Sequence, residues 1–232
     1  MAIIIMLETS GRLCSAAVEK DGDILLSKTS AEEHAHATNL PLFLQEALDL
    51  LKERGEKPDA VAVSGGPGSY TGLRIGVSCA KGVCYALGIP LIAVDTLELI
   101  ALTAAERIAP GADTLICPMI DARRMEVYTA TFDSTLAPVA AARPEIIDGG
   151  SFSGTLSAHK MLFCGSGADK CREVIAHPNA LFVSGIEPEA RRMASIAERM
   201  FGGRQFADTA YYEPNYLKEF QTTTPKKNII TQ

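Results

Sequence analysis

The glycine-rich stretch at residues 64–76 is the part of the chain whose residue types and spacing most clearly indicate a binding site. It follows a short apolar run at residues 60–64, which predicts a strand, and precedes a helix predicted over residues 71–87. Glycines let a backbone turn sharply, and the first turn of a helix presents N–H groups and a positive dipole end to an anion. The sequence therefore predicts a candidate anion-binding loop formed by Gly65, Gly66, Gly68, Ser69 and Thr71.

This stretch matches neither of the common nucleotide-binding motifs. Gly65 is not followed at the required spacing by Gly-Lys-Ser or Gly-Lys-Thr, as in a Walker loop, and the dinucleotide pattern Gly-x-Gly-x-x-Gly is absent. Pro67 also removes one backbone N–H donor. A structural turn without a ligand therefore remains an alternative to the anion site.

Candidates for catalysis are few. Glu8, Asp121 and Glu126 could act as acid or base, but a lone carboxylate at a strand end is more often a solvated cap or a hydrogen-bond acceptor. No two histidines have the helical spacing of metal ligands, the four being His34, His36, His159 and His177. We therefore predict no catalytic residue and no metal site.

The first two predicted helices carry more apolar and small residues than one core-facing stripe needs. In the second helix Gly72, Gly76 and Ala80 recur every four residues, although glycine inside a helix costs about 1 kcal/mol relative to alanine. Close approach of another helix would explain them, and that helix could belong to the same chain or to another subunit. The second alternative predicts a partner interface comprising Leu40, Phe43, Leu44, Ala47, Leu51, Gly72, Arg74, Gly76 and Ala80.

Composition narrows the class of protein. The 232 residues are 47% apolar and 22% charged, as in soluble globular proteins, and no apolar run approaches the roughly 20 residues of a membrane span. The net charge of -6 argues against independent binding to nucleic acid, because phosphate contacts require clustered Lys and Arg. The six scattered cysteines indicate reduced, structural thiols. We expect a cytoplasmic protein that reaches nucleic acid only through a partner.

The order of predicted elements occurs twice. A three-stranded meander, then a strand, a glycine turn and a helix, is followed after residue 110 by a second meander and a strand that leads into Gly165-Ser166-Gly167. This repetition predicts a duplicated α/β architecture of two mixed sheets covered by helices. We place the domains at residues 1–110, which carry the interface helices, and 111–232, whose last segment would pack back.

Several motifs resemble those of the TsaB (YeaZ) family, over most of the chain. They are Leu7-Glu8-Thr9-Ser10, the whole of residues 64–76, Gly88-Ile89-Pro90, Ile120-Asp121-Ala122-Arg123-Arg124 with Glu126-Val127-Tyr128, and Pro214-Asn215-Tyr216-Leu217-Lys218. The resemblance implies the actin-like, or ASKHA (ribonuclease H-like), fold. Residues 139–159 and the tail after Phe220 match no family pattern, and Glu8 stands where kinase-like relatives carry aspartate.

The resemblance implies a non-catalytic scaffold for the complex that places threonylcarbamoyl on the tRNA adenosine beside the anticodon. The chain would pair with a TsaD-like catalytic subunit through its first two helices, and the pair would recruit a TsaE-like ATPase. ATP and metal would belong to those partners, this chain would need no cofactor, tRNA would bind only through the complex, and the chain alone would form a homodimer. The alternative is a stand-alone enzyme, either an actin-fold phosphotransferase or a glycoprotease-like metallopeptidase.

Overall fold

The first half of the chain forms a five-stranded mixed sheet in a computed structural model that describes residues 2–218. Its strands lie in the order β3-β2-β1-β4-β5. The first three form an antiparallel meander, whereas β4 and β5 continue parallel to β1. The bounds are β1 (Ile3–Glu8), β2 (Cys14–Lys20), β3 (Asp23–Ser30), β4 (Ala60–Gly66) and β5 (Leu91–Asp95).

The second half repeats this plan. Its sheet has the order β10-β9-β6-β7-β8, again a meander, β6-β7-β8, extended from its first strand by two parallel strands. The bounds are β6 (Thr114–Asp121), β7 (Glu126–Phe132), β8 (Pro138–Ile146), β9 (Lys160–Cys164) and β10 (Ala180–Val183). The prediction of a duplicated α/β fold with two mixed sheets is therefore confirmed.

Helices cover both sheets. They are α1 (His36–Glu53), α2 (Tyr70–Leu87), α3 (Thr96–Ile108), α4 (Ser153–Ala158), α5 (Ala168–Cys171) and α6 (Ala194–Gly202), the last preceded by a 3₁₀ turn at Ala190–Met193. Both faces of β1 are buried because alternate side chains point to opposite sides: Ile5 joins the core under α1 and α2, and Ile4 joins the core under α6. α3 packs between the sheets, with Leu99 in the core of the first and Ile100 in that of the second.

After α6 the chain crosses the first sheet and reaches the second. The N–H group of Ala207 donates to the carbonyl of Leu91 at 2.8 Å, and that of Asn215 donates to the carbonyl of Gly65 at 2.7 Å. Lys218 then forms an ion pair with Glu126 of β7. We call residues 207–218 the strap, because they fasten one half of the molecule to the other. The predicted division at residues 110 and 111 stays a prediction.

Two helix starts differ from what local sequence preferences favour. Thr38 and Asn39 are residue types that cap helices, but α1 begins at His36 and encloses Pro41, and the Asn39 side chain donates to Ser30 Oγ. The apolar spacing of residues 187–201 favours a helix over that whole range, but α6 begins only at Ala194. Residues 139–159, which matched no pattern, contribute β8 and α4, whereas the tail after Phe220 lies outside the described residues. Among residues 2–218, no helix is long and apolar enough to cross a bilayer.

Candidate functional site

Two glycines of the predicted anion loop accommodate the strap. A Cβ atom on Gly65 would overlap the hydroxyl of Tyr212, and one on Gly66 would lie 2.7 Å from the carbonyl oxygen of Asn215. Gly66 also has a φ of 108°, in the region that favours glycine. Because neither glycine lines the neighbouring cavity, their presence is explained by packing within the chain.

The rest of the loop begins α2. The N–H group of Ser69 donates to the carbonyl of Ser10 at 2.7 Å, and a Cβ atom on Gly68 would lie 2.6 Å from the same oxygen. The Ser69 hydroxyl caps the helix by accepting from the N–H group of Gly72 at 3.2 Å. Gly68, Ser69 and Thr71 line a cavity, so an anion role for this part of the loop stays a prediction.

That cavity, of about 560 Å³, is a cleft between the two halves. The first turn of α2 and Ser10 line one side, and the connection between β6 and β7 with Ser166 lines the other. Tyr216, Leu217 and Lys218 of the strap complete the wall. The cleft therefore lies between the first glycine turn and the connection from β6 to β7, and the second glycine turn contributes Ser166 to it.

Both carboxylates that line the cleft are paired with lysines of the same chain. Asp121 lies 2.5 Å from Lys170 Nζ, and Glu126 pairs with Lys218. Lys170 also donates to the backbone carbonyls of Arg124, at 2.8 Å, and Glu126, at 2.7 Å. Each carboxylate that lines the cleft is therefore already engaged in an ion pair within the chain.

The turn between β6 and β7 presents two arginines. Arg123 and Arg124 have φ values of 72° and 49°, a left-handed conformation that non-glycine residues adopt uncommonly. Lys170 holds this turn through its bonds to the Arg124 and Glu126 carbonyls, and Arg123 lines the cleft. Within residues 2–218, Arg123 forms no ion pair closer than 4.0 Å.

Glu8 ends β1 as Asp121 ends β6, but its environment is opposite. Its side chain is completely buried and accepts hydrogen bonds from the N–H group and the hydroxyl of Ser10 and from the hydroxyl of Ser64. Burial raises the pKa of this carboxyl above its ordinary value. Of the two structural alternatives considered from the sequence, Glu8 is therefore a hydrogen-bond acceptor and not a solvated cap.

The small residues of α2 serve the chain's own packing. A Cβ atom on Gly72 would overlap the carbonyl oxygen of Thr9, one on Gly76 would overlap the hydroxyl of Thr9, and Ala80 is completely buried. The backbone that approaches α2 closely is therefore the segment directly after β1 in the same chain. The prediction that Gly72, Gly76 and Ala80 contact a partner is wrong, since none of them reaches the surface.

The same correction applies to most of α1. Leu40, Leu44, Ala47 and Leu51 lie in the core with the strands of the first sheet, because they form the helical stripe that faces it. Phe43 is partly buried and Arg74 of α2 is exposed. Of the predicted interface residues, only these two remain accessible.

The exposed surface of α1 and α2 also includes residues that the interface prediction did not contain. Leu42 is 58% exposed and Tyr85 is 87% exposed. Gly82 lies inside α2 with no described atom within 4 Å of the position of its Cβ atom, so no contact among residues 2–218 explains this glycine. We call this surface the outer helical face and define it as Leu42, Phe43, Arg74, Ser78, Gly82, Tyr85 and Ala86. The sequence feature that could have indicated this surface is the presence of two large residues, Leu42 and Tyr85, outside the helical stripes that face the core.

Residues suited to metal binding do not converge. Across residues 2–218, no group of three His, Cys, Asp or Glu side chains could hold a metal ion together. The cysteines are free thiols, and all but Cys79 are buried.

Comparison with known proteins agrees with this architecture. A family model described as TsaD, tRNA N6-adenosine threonylcarbamoyltransferase, matches residues 28–201. The "tRNA threonylcarbamoyladenosine biosynthesis protein TsaB" of Escherichia coli is 28% identical over 93% of this chain and 94% of its own length. The protein of the same name from Bacillus subtilis is 30% identical over 56% of this chain and 54% of its own, so that match spans about half of each.

A solved structure covers nearly all of the fold. The structure of YeaZ from Pseudomonas aeruginosa superposes with a TM-score of 0.80 at 25% identity, over 94% of this chain and 100% of that one. The chain therefore belongs to the family that the TsaD model describes and, within it, to the TsaB (YeaZ) group.

Proposed function

We propose that this chain is a non-catalytic scaffold subunit in the synthesis of threonylcarbamoyladenosine in tRNA. It pairs with a TsaD-like catalytic subunit, and the pair recruits a TsaE-like ATPase. The pairing of both cleft carboxylates with lysines of the same chain carries the non-catalytic part of the proposal, because each of them is already engaged by a cation of this chain. The matches to proteins named TsaB support the pathway.

The outer helical face supports a role in docking. Leu42 of α1 and Tyr85 of α2 are large exposed side chains, and Gly82, three residues before Tyr85, is a helical glycine with no packing neighbour among the described residues. Large exposed apolar side chains are candidates for a protein–protein interface, and glycine lets a second backbone approach closely. In the absence of a partner, we expect two copies of this chain to associate through this surface.

ATP and metal belong to the partner subunits in this proposal, and this chain requires no cofactor. The acidic net charge of -6 supports the view that tRNA is held by the assembled complex.

Measurement of tRNA threonylcarbamoylation tests the catalytic part. With tRNA, ATP and an activated threonylcarbamoyl donor supplied, we expect no product from the purified chain alone and product from its mixture with the TsaD-like and TsaE-like subunits of the same organism. Appreciable modification by the isolated chain would contradict the scaffold role. Stoichiometric zinc or iron in the purified chain would favour the metallopeptidase alternative, and micromolar binding of Mg-ATP by the lone chain would favour the phosphotransferase.

Substitutions on the outer helical face test the docking part. Leu42→Asp and Gly82→Leu should each weaken pairing with the TsaD-like subunit at least about tenfold, since one introduces a charge into an apolar contact and the other adds bulk where backbones approach. Val139→Asp is the matched control, because Val139 is 57% exposed on β8, far from these helices in the sequence. Equal loss of affinity in the control would show that the face is not the docking surface. Light scattering and calorimetry provide the measurement.

A further inference from the structure

The strap and α2 enclose a small cavity beside the outer helical face. Lys81 Nζ donates to the carbonyls of Ala210 and Tyr212, both at 3.0 Å, and so binds the strap to the helix. The cavity has a volume of about 190 Å³ and is lined by Arg74, Ser78, Lys81, Tyr212, Glu213 and Tyr216, among others. This volume lies below the roughly 300 Å³ at which small-molecule pockets begin, but it can hold one side chain.

Arg74 is held in a fixed position at this cavity. Its Nε donates to the hydroxyl of Tyr216 at 3.2 Å, and its guanidinium carbon lies 4.3 Å from the centroid of the Tyr70 ring. The Tyr70 and Tyr216 rings are themselves in contact, with centroids 5.1 Å apart. A hydrogen bond to Nε and stacking on a ring both orient the plane of a guanidinium, so that its two terminal nitrogens point in a defined direction.

The charge of Arg74 has no ion-pair partner within the chain that the structure describes. The cavity also contains one acidic residue, Glu213. Its negative charge favours the positive form of Arg74, but its oxygens lie more than 4.0 Å from the guanidinium nitrogens and form no ion pair with them. Lys81 adds a second positive charge to the cavity, although its ammonium group already donates two hydrogen bonds to carbonyls of the strap. The cavity therefore offers a net positive environment and an oriented donor pair.

We propose that the cavity between α2 and the strap receives an acidic side chain, Asp or Glu, of the docked subunit, with Arg74 as its cation and Tyr216 as the positioning residue. A carboxylate matches the two parallel donors of a guanidinium better than any neutral side chain does. The inference rests on the docking part of the proposed function, and it extends the docking surface from the two helices to the strap.

Affinity for the TsaD-like subunit of the same organism tests this inference. Arg74→Ala and Arg74→Gln should each bind at least about tenfold more weakly, and Arg74→Lys should restore only part of the affinity, because an ammonium cannot make the two-pronged contact. Raising the ionic strength from about 0.05 M to about 0.5 M should weaken the wild-type chain more than Arg74→Ala. Tyr211→Phe is the control, because Tyr211 is an exposed tyrosine of the same strap that does not line the cavity.

A double-mutant cycle separates positioning from a merely structural role. Tyr216→Phe should weaken binding about three- to tenfold in the wild-type background and have no effect in the Arg74→Ala background, since Tyr216 acts through Arg74. Thermal unfolding of each variant verifies that the fold is retained. An equal loss from Tyr216→Phe in both backgrounds, or full affinity of both Arg74 variants, overturns the inference. If the wild-type chain does not bind the TsaD-like subunit at all, the docking part of the proposed function falls as well.

Discussion

The hydroxyl of Thr9 donates to the carbonyl of Gly72 at 2.7 Å, and this contact draws the end of β1 directly onto α2. No side chain at Gly72 or Gly76 would fit beneath Thr9. The helix can approach this segment only because both positions lack a Cβ atom. Gly82, in the same helix, has no neighbour of its Cβ position among the described residues, so the glycines of α2 are of two kinds that a sequence pattern does not distinguish.

Alanine substitutions at these glycines should have opposite effects. Gly82→Ala should stabilise the fold by up to about 1 kcal/mol, because alanine is the better helix former and its methyl group meets nothing. Gly72→Ala should destabilise it by about 1–3 kcal/mol or more, because its methyl group overlaps a backbone carbonyl that cannot move independently. Urea unfolding measures both. Similar free energies of unfolding for the two variants would contradict this interpretation of α2.

Glu19 should make the fold less stable as the pH rises from acid to neutral. Its side chain is completely buried, one oxygen accepts from the N–H group of Gly22 at 2.9 Å, and the other lacks a partner among the described residues. Burial and the neighbouring Glu198 raise its pKa to about 7. The folded chain thus keeps a proton on Glu19 that the unfolded chain releases near pH 4.3. The contribution of this group to the free energy of unfolding is therefore fully present below pH 4.3 and is lost as the pH rises from there to about 7.

Glu19→Gln should remove this dependence. Because glutamine stays neutral, the variant should gain on the order of 1–2 kcal/mol over the wild type at pH 8 and little at pH 4. Glu56→Gln is the control with the opposite sign, since hydrogen bonds from Lys20 and Arg54 lower the pKa of Glu56 and stabilise its charged form. That variant should lose stability at pH 8 but not at acid pH. Denaturant unfolding at several pH values measures both, and parallel profiles for the two variants would contradict the assignment.

The native thiols should react slowly and in a defined order. Burial raises the pKa of Cys14 and of Cys84 to about 11, and that of Cys117 to about 12. A thiol with a pKa of 11 is only about one thousandth ionised at pH 8, and the thiolate is the reactive form. Cys79 is the described cysteine with partial exposure, so iodoacetamide should label it first.

Cys79→Ser should therefore remove the first phase of labelling and leave the remaining five cysteines unreactive until the chain unfolds. Mass spectrometry of peptides from native and urea-unfolded protein follows each site. Early labelling of Cys14 or Cys117 would contradict the burial on which this order depends.

The repeated order of strands was predictable because a buried strand appears in the sequence as a short run of apolar residues, as in β1 and β6. β8 was not, because Pro138 and Pro144 weaken its strand pattern, and an edge strand tolerates proline. We expected the last segment to pack back, but the place where the strap binds could not be predicted, since its contact between Asn215 and Gly65 joins positions far apart in sequence. Contacts between distant positions also decide which small residues of a helix face the core. Because the sequence does not show these contacts, the interface prediction selected residues that lie in the core.

Lys170 should be the residue that keeps the arginine turn of the cleft in place. Its Nζ bonds to the Asp121 carboxylate and to two carbonyls of the turn, and its side chain is 23% exposed. Lys170→Met keeps most of the aliphatic packing but leaves these acceptors without their donor, which should cost about 1–3 kcal/mol. Lys160→Met is the matched control, because its ion pair with Asp113, at 3.8 Å, is exposed and should change stability by less than about 0.5 kcal/mol.

Hydrogen exchange locates the effect of Lys170→Met. The left-handed conformation of Arg123 and Arg124 is costly and persists only where the surroundings enforce it, so loss of Lys170 should release the turn. The amides of Arg123 and Glu126, which bond to Asp121 and to the Arg123 carbonyl, should exchange faster in the variant, and those of β1 should not. Unchanged exchange at Arg123 and Glu126, with the fold merely less stable everywhere, would show that Lys170 contributes to general stability and does not hold the turn.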